Sequence, residues 1–309
     1  VPKGEDALVE WLRGRFAADD SRVLIGIGDD AAAVRLDGTL VAITADMLLD
    51  GVHFDTHQHG FDLVGRKAIA CSLSDCAAMA CAPRVATVSV ALPETMSLHD
   101  AKQLYEGMAG IAGEFGCAIV GGDITSWRGK LAIDVAMLAE PMSARGPVRR
   151  SDARIGDTIY VSGLLGGSLA GKHLTFTPRI ELASRLACEP DLHAMMDISD
   201  GLALDLHRLA TASGCDAELD ARELEQVVSD AARRLSQKDS TPPLEHALSD
   251  GEDFELLAVG GSRLEQGQFG LIRIGRIVPR ATLDQSAIFI CDETGRRQPV
   301  ERRGYEHFK

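Results

Sequence analysis

The 309-residue chain is 45% hydrophobic and carries 32 Lys and Arg against 46 Asp and Glu, a net charge of −14. That length and apolar content accommodate two domains with real cores, whereas the acidity argues against binding nucleic acid through its phosphates. No apolar run reaches the ~20 residues needed to cross a bilayer.

Val1-Pro2-Lys3-Gly4-Glu5-Asp6 lacks the apolar core of a secretory signal, and a start at Val1 instead of Met leads us to expect a trimmed or altered terminus. Residues 5–18 are expected to form a short amphipathic helix, with Leu8, Leu12 and Phe16 on one side. Val23-Leu24-Ile25-Gly26-Ile27-Gly28-Asp29-Asp30 reads as a strand running into glycines and two adjacent acids. Glycine there lets backbone approach a ligand closely, although no third glycine completes a dinucleotide fingerprint. Thr39–Thr44 is a second strand, with Asp46 expected just past its end and Gly51-Val52-His53-Phe54 following. His53, His57 and His59 match no zinc-ligand spacing.

The spacing predicts a helix over 62–83, capped by Asp62 and stopped by Pro83. Ala68 to Ala82 is apolar or small nearly all round, which predicts burial. Asp75 sits in this stretch. A buried carboxylate without a partner is costly or stays protonated, so Asp75 opens onto a cleft, binds a cation, or bonds a local hydroxyl such as Ser72 or Ser74. Thr87–Leu92 alternates as a strand, and Leu98–Phe115 is a helix carrying Tyr105. Cys117–Val120 is a strand ending in Gly121-Gly122-Asp123, and Leu131–Leu138 is a strand again. Residues 139–156 change character, with Pro141, Gly146 and Pro147 among Arg145, Arg149, Arg150 and Arg154. The domain boundary is placed here, giving segments 1–140 and 141–309. The arginines either clamp phosphate bidentately or solvate a linker.

Asp157–Ser162 is a strand, and Gly166-Gly167-Ser168-Leu169-Ala170-Gly171-Lys172-His173 nearly spells a P-loop. It fails where His173 replaces the Ser or Thr that ligates magnesium, so a phosphate contact by Lys172 is weighed against a near miss. The apolar run His193–Met196 ends in Asp197-Ile198-Ser199-Asp200-Gly201, after which Leu202, Leu206, Leu209 and Ala210 mark one helix face. Ser199 or Asp200 is expected to cap that helix. Its two acids repel unless a cation or proton lies between them; the alternative is a cap plus a solvated turn acid. Residues 214–245 are polar helical pieces around Pro242-Pro243, whose role as a lid the sequence leaves open. Leu248-Ser249-Asp250-Gly251-Glu252-Asp253-Phe254-Glu255 is a dense acidic turn before a strand from Phe254 to Val259, with strands near 271–277 and 287–291 beyond. The seven cysteines form no Cys-x-x-Cys pair, and Cys71, Cys76 and Cys81 do not share a helix face. That usage suits a reducing cytoplasm rather than a disulfide framework or zinc.

Asp29/Asp30, Asp46, Asp75, Asp123, Asp197/Asp200 and Glu252/Asp253 form a set, and all but Asp75 are expected near strand or turn junctions. If they converge, such charge needs cations. Hard oxygens without matching soft ligands point to magnesium, which bridges carboxylates to substrate phosphates. The chemistry indicated is nucleotide-dependent phosphoryl transfer without a P-loop lysine.

Gly26-Ile27-Gly28-Asp29-Asp30, Asp46 with Gly51-Val52-His53-Phe54, Ser74-Asp75, Gly121-Gly122-Asp123, Asp197-Ile198-Ser199-Asp200-Gly201 and Gly251-Glu252-Asp253-Phe254-Glu255 stand in the order seen in thiamine-monophosphate kinases. The chain resembles that family, part of the aminoimidazole-ribonucleotide-synthetase-like ATP-binding superfamily, from Gly4-Glu5 to Gly304-Tyr305-Glu306-His307-Phe308. The resemblance implies ATP-dependent conversion of thiamine monophosphate to thiamine diphosphate with several Mg²⁺ ions, in the cytoplasm. It implies an N-terminal α/β domain that binds Mg-ATP and dimerises through its sheet into a barrel. A C-terminal α+β domain would complete the nucleotide and substrate site. It implies magnesium ligands at Asp30, Asp46, Asp75, Asp123, Asp197 and Asp200, with Thr44 beside them. Ala45 stands where the family usually has threonine, a position where a backbone carbonyl still serves. The resemblance places Tyr105, Gly122, Asp123, Arg150 and Ser199 at ATP, and His53, Glu252 and Tyr305 at thiamine monophosphate. Asp46, Asp75, Asp123, Asp197 and Asp200 become the catalytic set.

No Ser-His-Asp or Cys-His arrangement is recognisable, and none is needed if an already ionised phosphate oxygen attacks. Direct in-line transfer, with magnesium between donor and acceptor phosphates, is the expected course. A thiazolium cation also suits an acidic pocket. Among rivals, a selenophosphate synthetase-like enzyme wants an N-terminal cysteine, and no cysteine precedes Cys71. A hydrogenase-maturation-like protein wants a C-terminal cysteine in place of His307-Phe308-Lys309. An aminoimidazole ribonucleotide synthetase-like enzyme matches the motifs less well, and a non-catalytic Mg-nucleotide sensor is disfavoured by the complete carboxylate set. Neither nucleic acid nor membrane is an expected partner.

Overall fold

The computed structural model describes residues 4–16, 20–266, 269–281 and 287–306; Val1–Lys3 and the His307-Phe308 end of the tail motif lie outside the described residues. The first helix, α1, is Gly4–Arg15, and residues 17 and 18 of the expected helix also fall outside. Leu8 and Phe16 are exposed and Leu12 is half-buried, so the apolar side of α1 packs only partly. Next come β1 (Val23–Ile25), β2 (Ala32–Leu36), β3 (Thr39–Leu49), α2 (Phe61–Ala78), β4 (Cys81–Pro93), α3 (Leu98–Glu114), β5 (Ala118–Trp127) and β6 (Ala132–Pro141). Their six strands form one sheet in the order β1-β2-β3-β6-β4-β5, antiparallel except for the β4–β5 pair.

Several boundaries differ from expectation. Asp46 lies inside β3, not past its end, because pairing with β6 continues to Leu49 opposite Ala132. Gly121-Gly122-Asp123 likewise lies inside β5, which pairs with β4 as far as Trp127. Gly122 is needed there: at φ 151° its missing Cβ would sit 1.8 Å from the Val88 carbonyl oxygen. Helix α2 starts after Gly60 with no side-chain cap, so Asp62 does not cap it, and it ends at Ala78. The chain turns at Ala80 (φ 50°), and Pro83 belongs to β4. Pro83 sits at a bulge against β6, before β5 begins to pair at Val85, where no ladder bond is lost for want of its N–H.

Helices α2 and α3 lie against one face of this sheet, with Val64, Ile69, Leu73, Leu104, Met108, Val88 and Val135 in a common core. The two helices meet at glycines. A Cβ on Gly65 would stand 1.9 Å from the Leu104 carbonyl oxygen, and one on Gly107 1.9 Å from that of Asp62. The other face is open: Ala45, Met47, Leu49, Thr87 and Ser89 are exposed on it, and β5 is exposed along most of its length.

The second half holds β7 (Thr158–Val161), α4 (Lys172–Thr175), α5 (Ile180–Leu186), β8 (Leu192–Ile198), α6 (Leu202–Ser213), β9 (Asp216–Asp220), α7 (Ala221–Val227), α8 (Asp230–Asp239) and α9 (Pro243–Ser249). It continues with β10 (Glu255–Gly260), α10 (Arg263–Gln266), β11 (Ile272–Val278), β12 (Ile288–Cys291) and β13 (Arg297–Pro299). The seven strands run in the order β13-β12-β9-β11-β7-β10-β8, with only β12–β9 parallel. Strands β2, β9 and β13 are additions to the sequence reading. Residues 214–245 are tied to the second core by Leu224, Val227 and Ala232. Helix α6 buries Leu202, Leu206, Leu209 and Ala210 as expected, but its N-cap is Gly201 without a side-chain bond, so neither Ser199 nor Asp200 caps it.

On the sheet's other face, Tyr160, Met195, Leu256 and Ala258 pack with α5 and with Ala77 and Ala78 of α2. Helix α2 therefore lies between the two sheets, which explains its burial on every side. The class is mixed α/β, and within one chain the first sheet is open and not closed into a barrel.

Gly65→Ala and Gly107→Ala are expected to lower the unfolding free energy by about 1–3 kcal/mol through overpacking. Gly110→Ala, in α3 with nothing within 4 Å, should instead leave stability unchanged or raise it by about 0.5–1 kcal/mol. Urea unfolding of the three variants checks this.

Candidate active site

Side chains alternate along β3, so Thr44, Asp46 and Leu48 face α2 while Ala45, Met47 and Leu49 face away. From α2, Ser72 Oγ donates to Asp46 Oδ2 at 2.6 Å, and Ser74 Oγ donates to Asp197 Oδ2 at 2.6 Å. Asp75 accepts from the Thr44 hydroxyl of β3. The two helix hydroxyls thus serve acids of other strands, and neither bonds Asp75. Asp197 is at the end of β8, so carboxylates from both sheets meet α2 in the middle. Ala45, on the open face, directs its side chain away from them.

Burial is the first cause holding Asp75 well above the usual carboxylate range; the charges of Asp46, Asp197 and Asp30 add to it. Asp197 is raised well above that range by burial, then by Asp30. Asp46 is raised by burial, which the Ser72 bond offsets in part. Asp30 is also raised by burial, against the pull of Arg150. Its neighbour Asp29 is pushed to about 6 by burial and the Asp30 charge. Four predicted ligands, Asp30, Asp46, Asp75 and Asp197, therefore feel one another through the interior.

Two others stand apart. Asp46 is in register with Val135, Val88 and Gly122, whereas Asp123 is in register with Ser89, Asp134 and Met47 on the opposite face. Asp123 is exposed there. Asp200 accepts from Arg208, which also bonds Asp205 at 3.1 Å. Asp205 is fully buried, and its carboxyl is pushed to about 7 by burial and the Asp200 charge. Arg208 also lies 3.7 Å from both Glu5 and Asp6 of α1.

The four arginines of 139–156 form no common clamp. Arg150 bonds Asp30 and lies 3.3 Å from Asp29; Arg149 bonds Asp152 at 3.0 Å. Arg145 reaches the Leu192 and His193 carbonyls, and Arg154 lies 2.9 Å from the His193 ring.

The turn at 250–254 lies on the Asp197–Asp200 turn: Glu252 N donates to Ser199 O at 2.6 Å and Phe254 N to Ile198 O at 2.8 Å. Glu252 (φ 59°) and Phe254 (φ 51°) hold left-handed backbone. Lys67 of α2 bonds the Glu252 carboxylate and the His53 carbonyl. Tyr305 N donates to Asp200 O at 3.0 Å, which brings the tail to the same turn. Tyr105 packs half-buried against the first core.

The P-loop-like segment is already filled. Gly166 N donates to both Asp253 oxygens at 3.0 Å, Gly167 N to Asp250 at 2.9 Å, and the Ser168 hydroxyl to Asp253. Lys172 is 2.9 Å from Glu255. Asp253 thus serves the 166–168 loop, not the acidic cluster. Burial pushes it to about 6 although Ser168 pulls it down.

Among the described residues, no group of three or more His, Cys, Asp or Glu side chains is arranged as it stands to hold a metal ion. Asp30, Asp46, Asp75, Asp197 and Asp200 are each held by a donor of their own. The donor set nevertheless fits a hard divalent cation: the oxygens are carboxylate and hydroxyl, and buried Asp30 Oδ2 lacks a hydrogen-bond partner among the described residues. Asp205, Arg208 and Lys67 went unrecognised in the sequence. Asp205 and Arg208, three apart on an apolar helix, were a readable ion-pair signal.

The chain matches the family description "AIR synthase related protein, N-terminal domain" over residues 28–140 and its C-terminal counterpart over 154–263. It is 39% identical over 294 residues to a thiamine-monophosphate kinase of Rhodopirellula baltica, covering 90% of this chain and 91% of that protein. It is 31% identical over 325 residues to the Aquifex aeolicus enzyme of the same name, covering 99% and 98%. A solved structure described as AaThiL complexed with AMPPCP and TMP superposes with a TM-score of 0.84 at 29% identity, covering 99% of this chain and 97% of that one. With two-sheet architecture and sequence agreeing over nearly the full length, the chain belongs to the thiamine-monophosphate kinase family.

Proposed function

We propose that this protein transfers the terminal phosphate of ATP to thiamine monophosphate, giving thiamine diphosphate and ADP by direct in-line displacement. The observation that carries this reading is the meeting of Asp30, Asp46, Asp75 and Asp197 around α2 beside the 250–254 turn, in a chain of this family. The attacking phosphate oxygen is ionised at neutral pH, so the chain needs to position and neutralise, not to abstract a proton. Magnesium, when bound, supplies charge neutralisation between the two phosphates. Asp30, Asp46, Asp75 and Asp197 would hold it, with Thr44 and the Ala45 backbone alongside; Asp123 and Asp200 are assigned to the same ligand set. Tyr105, Gly122, Arg150 and Ser199 are assigned to ATP, and His53, Glu252 and Tyr305 to thiamine monophosphate. Residues 1–140 and 141–309 are taken as the two domains, and the cytoplasm as the compartment. A homodimer joined through the open face and β5 is supported by Met47, Val120 and Ile124, which are 61%, 61% and 64% exposed.

Incubation with ATP and thiamine monophosphate should yield thiamine diphosphate with one ADP each, dependent on Mg²⁺ and abolished by chelator. ATP binding without product would overturn the assignment. Asp75→Asn and Asp197→Asn should each lower kcat by about 100-fold or more. Carboxyl groups raised by folding add stability below the ordinary value of 3.8 that is lost as pH rises through their folded values, about 6 for Asp29 and about 7 for Asp205. The group at Asp75 shares that sign. In cation-free thermal melts the advantage of Asp75→Asn over wild type should therefore grow with pH and reach about 2–4 °C near neutrality, if relief of repulsion is worth about 1 kcal/mol. Added Mg²⁺ should then stabilise wild type more than the variant. Sedimentation should return twice the 33.0 kDa chain mass, and Ile124→Lys should shift it toward one chain.

A further inference from the structure

Lys67 is fully buried, 0% exposed, where α2 passes between the sheets. A buried ammonium is tolerated only when paired and hydrogen-bonded. Its Nζ donates to the His53 carbonyl oxygen at 2.6 Å and to Glu252 Oε2. These acceptors come from opposite halves of the chain. His53 lies on the turn after β3, where its Nδ1 accepts the Leu49 amide at 3.0 Å. Glu252 lies on the 250–254 turn, in left-handed backbone, over Ser199. The Glu252 side chain stays 19% exposed, so Lys67 holds the carboxylate from behind without sealing it off. Arg150, on the nucleotide side of the proposed site, bonds instead to Asp29, Asp30 and Ser213.

We infer that Lys67 is a positioning residue for the phosphate acceptor: one buried ammonium sets the separation and orientation of His53 and Glu252 across the join between the two sheets. The inference rests on the proposed function, in which those two residues face thiamine monophosphate. It separates Lys67 from a general stabiliser, because its effect falls on one substrate.

The test is steady-state kinetics with each substrate varied, on wild type, Lys67→Met and Lys67→Met/Glu252→Gln. Lys67→Met should raise KM for thiamine monophosphate about tenfold or more and leave KM for ATP within about twofold. It should also melt earlier, since it leaves the Glu252 carboxylate without its ammonium. The double variant carries neither charge, so it should regain melting temperature while KM for thiamine monophosphate stays high. If the single variant does not fold, the double variant is compared with Glu252→Gln alone, and a KM for thiamine monophosphate no higher than that of Glu252→Gln overturns the inference. Unchanged KM for thiamine monophosphate in a folded variant, or an equal rise for ATP, overturns the inference while leaving the function intact. A wild type that turns over no thiamine monophosphate overturns the function, and this inference with it.

Discussion

A helix packed on every side must find a partner for each polar group it carries. Helix α2 is such a helix, and the candidate site is the outcome of that requirement. Lys67 reaches Glu252 and His53, Ser72 reaches Asp46, Ser74 reaches Asp197, and Asp75 takes the Thr44 hydroxyl. These bonds tie α2 to β3, to β8 and to the turns at His53 and Glu252. The acidic groups therefore meet because one buried segment has polar side chains on several faces and two sheets to satisfy them.

The donors divide the site electrically. Asp29, Asp30, Asp200 and Asp205 are met by Arg150 or Arg208, so a fixed positive charge accompanies them. Asp46, Asp75 and Asp197 are met by hydroxyls, which hydrogen-bond a carboxylate without cancelling its charge. Burial raises those three with no arginine bond to oppose it, and the interior around α2 favours either protons or a cation that arrives with the substrates. A protein that neutralised every acid with arginine would have no reason to recruit one.

Much of this was legible. All-round apolarity between Ala68 and Ala82 indicated a buried helix, the Leu202–Ala210 spacing located the inner face of α6, and the ordered motifs identified the family. What escaped was set by partners distant in the chain. Strand ends at Asp46 and Asp123 depend on how far β6 and β4 continue alongside, which no local pattern encodes. Pro83 resembled a helix stop because the bulge that accommodates it in β4 exists only in the sheet. The assignment of Ser72 and Ser74 to remote acids needed both sheets in place. Glycine at 122 is required by the Val88 carbonyl of the neighbouring strand, a contact no local pattern shows. Lys67 went unrecognised because its partners lie fourteen residues before it and 185 after it.

The loop at 166–168, already filled by Asp250 and Asp253, bears on motion. A nest of amides that holds a mobile anion empties and refills with its ligand, but one that holds the chain's own carboxylates acts as a clasp. For the 250–254 turn to swing outward, the bonds from Gly166, Gly167 and Ser168 would have to break together, each worth about 1 kcal/mol. The turn beneath Glu252 is thus a rigid floor.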